Sequence, residues 1–293
     1  MRFGDFDLTL VNGGNFRLDG GAMHGVVPKS IWSRLTSCDE HNRCSYATNC
    51  LLIERVSTGE RTLVETGNGG KFSPKEMDIF GIDHDHSTEK NLVSMGVPPE
   101  SINHVVMTHL HFDHSGGTTR REGSIVTPVF SRARHHIQAR ELHDAKHAHE
   151  RNRASYLAEN FLPLEDAGLL QLAEGEQEVA PGIRVIPTPG HTAGHQSVVV
   201  SDGSGHHVVF FGDVIPTAVH LKLPFIMGYD LDVVATLETK RVLLDRVVKE
   251  KWLAVFGHEL TTPAGYLGLD QKGNVIVQEP VDLTAPGAIR PTN

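Results

Sequence analysis

Three cysteines in 293 residues are too few, and odd in number, for a disulfide framework. They stand six apart at Cys38, Cys44 and Cys50. Cys50, beside Leu51-Leu52-Ile53, reads as a buried thiol, and spacing alone leaves a Cys38–Cys44 bridge open. No apolar run approaches the roughly 18 residues a membrane helix needs, so no membrane partner is expected. The segment Met1-Arg2-Phe3-Gly4-Asp5 lacks the apolar stretch of a secretory signal, so a cytoplasmic location with reduced thiols is the expectation. Basic charge is also short, with 27 Lys and Arg against 36 Asp and Glu, a net charge of −9. That balance disfavours nucleic acid as a partner. The basic clusters Arg132 to His136 and Arg151 to Arg153 read as solvated helix faces. Neither an internal repeat nor a linker is evident, and one domain over residues 1–293 is expected.

Histidine, by contrast, is plentiful, at 19 residues. His109-Leu110-His111-Phe112-Asp113-His114 places four metal-ligating side chains within six positions. The apolar, β-branched run Ile102 to Thr108 precedes it and reads as a buried strand; Ser115-Gly116-Gly117 follows and leads into a helix. Packing gives no reason to collect three imidazoles and a carboxylate at a strand end. Metal binding does, because neutral imidazole and carboxylate oxygen suit zinc and similar ions. The pattern recurs along the chain. Gly190-His191 follows the strand-like run Ile183 to Pro187, Gly212-Asp213 follows His207 to Phe211, and Gly257-His258 follows Trp252 to Phe256. Five His and two Asp from four strand ends suffice for two metal ions.

Elsewhere, residues 3–19 read as an opening strand. Asn49 to Arg55 and Arg61 to Glu65 read as a hairpin about Thr58-Gly59, Ser87 to Met95 as a helix, and Pro128 to Phe130 as a short strand. Gly20 to Lys29 is either a mobile glycine-rich loop over the metals, carrying His24, or a connector on the sheet edge. Ser131 to Glu159 reads as helical, with His135, His136, His143, His147 and His149 facing solvent. Thr236 to Glu250 reads as an amphipathic helix against a sheet. Val275 to Asn293 reads as a short strand followed by coil.

From about Leu51 to His258 the chain resembles the metallo-β-lactamase superfamily. The resemblance implies an α/β fold, a four-layer αββα sandwich with metals at one edge of its two sheets. It implies that His109, His111 and His191 hold one metal, that Asp113, His114 and His258 hold the second, and that Asp213 bridges both. The cofactors it implies are two divalent ions, zinc first, with manganese, iron or cobalt as alternatives. Two such ions about 3.5–4 Å apart share one water and generate hydroxide near neutral pH, which attacks the substrate. Asp113 would orient that hydroxide or shuttle its proton. The family's usual Asp-Thr-Gly run is Glu65-Thr66-Gly67 here, an added methylene at the side chain expected to steady a metal-ligating histidine. Thr192 and His195 read as fixing the loop after His191.

The bridging Asp213 favours the lactonase, thioesterase and phosphoesterase groups over β-lactamases. The stretches Gly212 to His220, Met227 to Asp230 and Leu18 to Met23 resemble bacterial quorum-quenching lactonases, whose substrates are acyl-homoserine lactones. In those enzymes a Tyr stands three residues after the bridging Asp; here that position is Pro216, and His220 or Tyr229 is the candidate replacement donor. Tyr156, Phe161 and His24 complete the candidate substrate wall. The alternatives are organophosphate, aryl-ester or thioester hydrolysis at the same two-metal site. The expected partner is a small-molecule ester or lactone, and Leu223 to Met227 is the segment suited to a twofold mate in a homodimer.

Overall fold

A computed structural model describes residues 1–82 and 86–284. In chain order its strands are β1 (Arg2–Phe3), β2 (Phe6–Asp19), β3 (Arg43–Arg55), β4 (Arg61–Val64), β5 (His104–Val106), β6 (Thr119–Glu122), β7 (Ile125–Pro128), β8 (Arg134–Gln138), β9 (Leu170–Ala173), β10 (Gln177–Ala180), β11 (Ile183–Pro187), β12 (Gln196–Ser201), β13 (His207–Phe210), β14 (Leu253–Val255), β15 (Ala264–Leu269) and β16 (Val275–Pro280). The helices are α1 (Gly20–His24), α2 (Lys29–Trp32), α3 (Pro74–Phe80), α4 (Thr88–Ser94), α5 (Phe112–Ser115), α6 (Ala139–Lys146), α7 (Leu162–Asp166) and α8 (Val233–Lys249). One seven-stranded sheet runs β1-β2-β3-β4-β5-β8-β9, a second runs β10-β11-β12-β13-β14-β15-β16, and β6-β7 form a separate ribbon.

Alternation along the strands sets the layers. Successive side chains of a strand point to opposite faces. Leu8, Leu10, Leu51 and Ile53 of the first sheet meet Val198, Val200, Val208 and Phe210 of the second in one buried cluster. The residues between them face outward. Cys50, Leu52 and Leu63 pack with Leu92 of α4, Leu142 of α6 and Leu164 of α7. Val199, Val209 and Ala254 pack with Leu243, Leu244 and Val247 of α8. The result is the helix–sheet–sheet–helix sandwich. Asp232 caps α8 by accepting from the Val234 and Ala235 N–H groups, and Arg246 and Lys249 stand in its last turn, where cations suit the helix dipole.

Strand direction then places the functional loops. β4, β5, β8 and β9 are mutually parallel, so the chain leaves β4 and β5 at one end of the first sheet. β13 and β14 are parallel, and β11 shares their direction through two antiparallel steps across β12. The loops after these strands carry Glu65, His109 to His114, His191, Asp213 and His258.

The segment 131–159 differs from the helical reading. Arg134–Gln138 is a strand paired with β5 and β9, only Ala139–Lys146 is a regular α-helix, and turns follow. A parallel strand buried in the sheet needs no alternation, which is why its pattern misleads. His135 and His136 are consequently buried, while His143, His147 and His149 are exposed. Gly20 to Lys29 contains the short helix α1 rather than an irregular loop. Cys38 and Cys44 form a disulfide, against the expectation of three reduced thiols, and Cys50 is a buried free thiol. The Asp39 carboxylate reverses the chain between the bonded pair by accepting from the His41 and Arg43 N–H groups. Phe225 and Met227, in the segment suited to a mate, are buried within this chain. Among the described residues no helix is long and apolar enough to cross a membrane. The coil expected beyond residue 284 lies outside the described residues.

His135 generates a stability prediction. Both ring nitrogens are buried without a hydrogen-bond partner, and burial lowers its pKa to about 4. The unfolded chain, with an ordinary pKa near 6.5, takes the proton first as pH falls. Stability is therefore lost between pH ~6.5 and ~4. Urea denaturation should show His135→Leu losing about 2 kcal/mol less than wild type between pH 7.5 and 5. An equal loss in both proteins would contradict this account of the ring.

Candidate metal centre

The loop after β5 is held from several sides before any ligand is considered. Thr108 N–H donates to Glu65 Oε1 at 2.9 Å, and Leu110 N–H donates to Glu141 Oε1 at 3.0 Å. His111 then leads into α5, whose first turn carries Asp113 and whose last carries His114. Two glycines let the other loops approach. Gly212 has φ +61°, and a Cβ there would lie 2.7 Å from His195 Nε2. At Gly190, φ +139°, a Cβ would lie 2.4 Å from the Thr236 nitrogen. A side chain at either position would displace the residue that follows it, Asp213 or His191.

All seven side chains singled out by the sequence converge, and all are buried. His191 Nε2 lies 3.0 Å from His111 Nδ1, and His258 Nε2 lies 3.1 Å from His114 Nε2. Asp213 stands between the pairs. Its Oδ1 lies 3.0 Å from His258 Nε2 and 3.4 Å from His114 Nε2, while Oδ2 lies 3.4 Å from His191 Nε2. Asp113 Oδ2 lies 3.4 Å from His258 Nε2. Among the described residues three sets have ligand atoms within 4.8 Å of one another: His109, His111 and His191; His109, His114 and Asp213; Asp113, His114 and His258.

The electrostatics fit cations at this point. Burial, reinforced by neighbouring imidazoles, holds His109 and His111 well below their usual pKa, so both are neutral donors. Burial also disfavours charge on His114, His191 and His258. There the carboxylates outweigh it, Asp213 foremost, and the pKa values rise. Burial likewise opposes charge on Asp213, yet the surrounding imidazoles lower its pKa far below the ordinary range. A buried carboxylate this encircled needs positive charge beside it. His109 Nε2 and His111 Nε2 are buried without any hydrogen-bond partner, and Asp213 Oδ1 has only imidazole nitrogens facing it. Unpaired donor atoms of these types, converging from both sheets, suit divalent ions.

A second ring of groups fixes the imidazoles. His109 Nδ1 lies 2.9 Å from Thr108 Oγ1, His191 Nδ1 lies 2.8 Å from Asp230 Oδ1, and His258 Nδ1 donates to the Ala47 carbonyl at 2.8 Å. His114 Nδ1 faces Glu65 Oε2 at 3.4 Å, so the longer glutamate does reach a histidine of the set. Glu65 has φ +64°, a left-handed backbone that costs a non-glycine residue roughly 1–2 kcal/mol. His195 fixes the loop after β11 through its Nδ1, 2.8 Å from Thr188 Oγ1, and its Nε2 also accepts from Asp213 N–H at 3.0 Å. Sequence reasoning missed Glu141 and the role of Asp230. Glu141 accepts from Leu110 N–H, Tyr156 Oη and Thr192 Oγ1, joining three loops at one carboxylate. Glu141 lay inside a polar, histidine-rich run and gave no signal.

The small cavity above the set has a volume of about 40 Å³. Its walls include Leu18, Met23, Phe112, Met227 and Tyr229. Of the five candidate substrate residues, only Tyr229 lines it. Burial, with Asp19 and Asp113 nearby, pushes the Tyr229 phenol up to about 12, so it is a proton donor at neutral pH. Tyr156 packs its ring edgewise on His111, with centroids 4.8 Å apart, and its hydroxyl is committed to Glu141. Phe161 sits in the core outside the first sheet. His24 stacks between Trp32 and His220, at 4.9 and 5.5 Å, and His220 Nε2 donates to the Met23 carbonyl. His24 and His220 are thus absent from the cavity lining, and His220 is bonded to the backbone of Met23, which belongs to it.

Comparison with known proteins follows the same lines. Residues 46–258 match the metallo-beta-lactamase superfamily. An N-acyl homoserine lactonase from Bacillus sp is 32% identical over 177 residues, 59% of this chain and 62% of that protein. The Bacillus cereus N-acyl homoserine lactonase is 31% identical over 176 residues, again 62% of its length. The aligned stretch therefore spans less than two thirds of these curated relatives. A probable metal-dependent hydrolase from Staphylococcus aureus superposes with a TM-score of 0.86 at 29% identity, covering 96% of this chain and 100% of that one.

The Glu65 contact is testable. Glu65→Gln keeps the shape and removes the charge facing His114. Zinc titration against a competing chelator should show about 10-fold weaker affinity for the more weakly held metal. Unchanged affinity would mean that Glu65 shapes the loop without steadying His114.

Proposed function

The chain belongs to the metallo-beta-lactamase superfamily, and from that premise we propose that it is a dinuclear metal-dependent hydrolase that opens lactones of the acyl-homoserine type. His109, His111 and His191 would hold one divalent ion and Asp113, His114 and His258 the other, with zinc the first candidate. The observation that carries this reading is the placement of Asp213, with one carboxylate oxygen turned toward each group of imidazoles. The Bacillus N-acyl homoserine lactonases supply the substrate class. Bound ions of this kind make hydroxide available from water near neutral pH and polarise a carbonyl.

The chain's own residues supply the remainder. Leu18, Met23, Phe112 and Met227 line the small cavity with apolar surface, which limits competing water and strengthens every electrostatic contact inside. Asp113 lines the same cavity, so its carboxylate is placed to take a proton on one side of the reaction and return it to the leaving alkoxide. The Tyr229 hydroxyl, kept protonated, is the wall's donor to the lactone carbonyl; Pro216 offers none. Asp230, His195 and Glu141 hold the donor atoms in place so that little reorganisation is needed.

Zinc-loaded protein in a pH-stat should open N-acyl homoserine lactones with kcat/KM at least tenfold above that for a phosphotriester, an aryl ester or a thioester. Lactone turnover below any of those classes would overturn the substrate assignment. Asp213→Asn should lose one of two metal equivalents and lower kcat by a factor of about 100 or more. Unchanged metal content by elemental analysis would refute the bridging role.

A further inference from the structure

The helix α6 ends in His143-Asp144-Ala145-Lys146-His147, two imidazoles four positions apart, with His147 as the C-cap. Positions i and i+4 of a helix lie one above the other on one face. The helical spacing holds to the last residue, since His147 N–H donates to the His143 carbonyl at 3.2 Å. The two rings accordingly lie side by side, with centroids 4.6 Å apart and planes 30° from parallel. The His143 side chain is 66% exposed, and His147 is exposed as well. Core packing therefore does not hold this pair.

Hydrogen bonds settle which nitrogen each ring offers. A neutral imidazole carries one N–H and one lone pair. His147 Nδ1 lies 2.8 Å from the His143 carbonyl, which can only accept, so Nδ1 carries the hydrogen. His143 Nδ1 lies 3.1 Å from Asp144 Oδ1, a carboxylate oxygen that likewise accepts. Both lone pairs are thus on Nε2, the ring nitrogen farther from the backbone, and neither Nε2 has a hydrogen-bond partner among the described residues. An Nδ1–H held by a carboxylate or a backbone carbonyl is the support a metal-bound histidine takes. Asp144 is itself steadied by Arg140, whose Nε donates to Oδ2 at 2.7 Å. His149, two residues on, is built the other way: its Nδ1 accepts from Arg151 N–H at 3.2 Å, so its lone pair is already used.

We propose that His143 and His147 form a separate surface metal site, a two-imidazole chelate for a borderline divalent ion such as copper or zinc, with water completing the coordination. Imidazole nitrogen suits these ions, and copper binds most tightly of the divalent first-row series. At the roughly 2 Å bonds and tetrahedral angle that zinc takes, two nitrogens on one ion stand about 3 Å apart. Exposed rings at this separation reach that span by a small tilt. A bound ion clips the last turn of α6, the helix whose first turn carries Glu141 and its three loop contacts. The site shares no residue with the buried set and does not depend on the lactone reading.

The test titrates zinc-loaded protein with Cu2+ by calorimetry, measures the zinc retained, and reads the bound copper by electron paramagnetic resonance. Wild type should take its tightest copper equivalent without releasing zinc, and the spectrum should show nitrogen ligands. His143→Ala and His147→Ala change exposed side chains that the fold does not need, and each should weaken that equivalent about tenfold or more. His149→Ala should leave it within twofold of wild type. Undiminished copper affinity in His143→Ala or His147→Ala would overturn the site. So would equal weakening in all three variants, or copper that enters only as zinc leaves.

Discussion

One buried carboxylate organises this molecule. Asp213 is nearly inaccessible to water, and imidazoles close on it from both sheets. A charge in such a place is tolerated only with compensation. The carboxylates, Asp213 foremost, raise the pKa of His114, His191 and His258, so protons on those rings are one source of that compensation. Divalent cations supply the same compensation at higher charge density. The surrounding structure exists largely to keep this arrangement from relaxing.

That task falls to groups that never need to touch a substrate. Glu65 reaches from the end of β4 to the backbone of Thr108 and to the ring of His114. Glu141 gathers the loop after β5, the loop after β11 and Tyr156 around a single carboxylate. Asp230 turns His191, and His195 holds the backbone of Asp213. The Glu141 contact with Thr192 ties the first sheet's loops to the second sheet's across the sandwich edge, and the others brace loops of one sheet. A shift between the sheets would therefore be felt at the donor atoms directly.

How much of this was legible in the sequence depends on what each residue is for. The seven converging side chains were readable because a metal-binding pattern restricts residue type, and each lies just past an apolar strand. The two-sheet architecture came with the resemblance that those donors carried, and the alternation in β2, β3, β12 and β13 accounts for it physically. Glu141 was invisible because its value arises from three loops meeting, which no local spacing encodes. The strand at Arg134–Gln138 was read as helix because two successive buried histidines imitate a polar run. The Cys38–Cys44 bond depended on a chain reversal made by the Asp39 side chain, which spacing by six does not reveal. His24 and His220 carry the right chemistry for a substrate wall; they stack on each other and do not line the small cavity over the set.

The central question is whether the seven side chains cage a pair of cations about Asp213. Anomalous diffraction from crystals of the zinc-loaded protein measures this most directly. The prediction is two peaks about 3.5–4 Å apart, one beside His109, His111 and His191, the other beside Asp113, His114 and His258, with Asp213 touching both. A single peak, or a pair with Asp213 turned away, would contradict it.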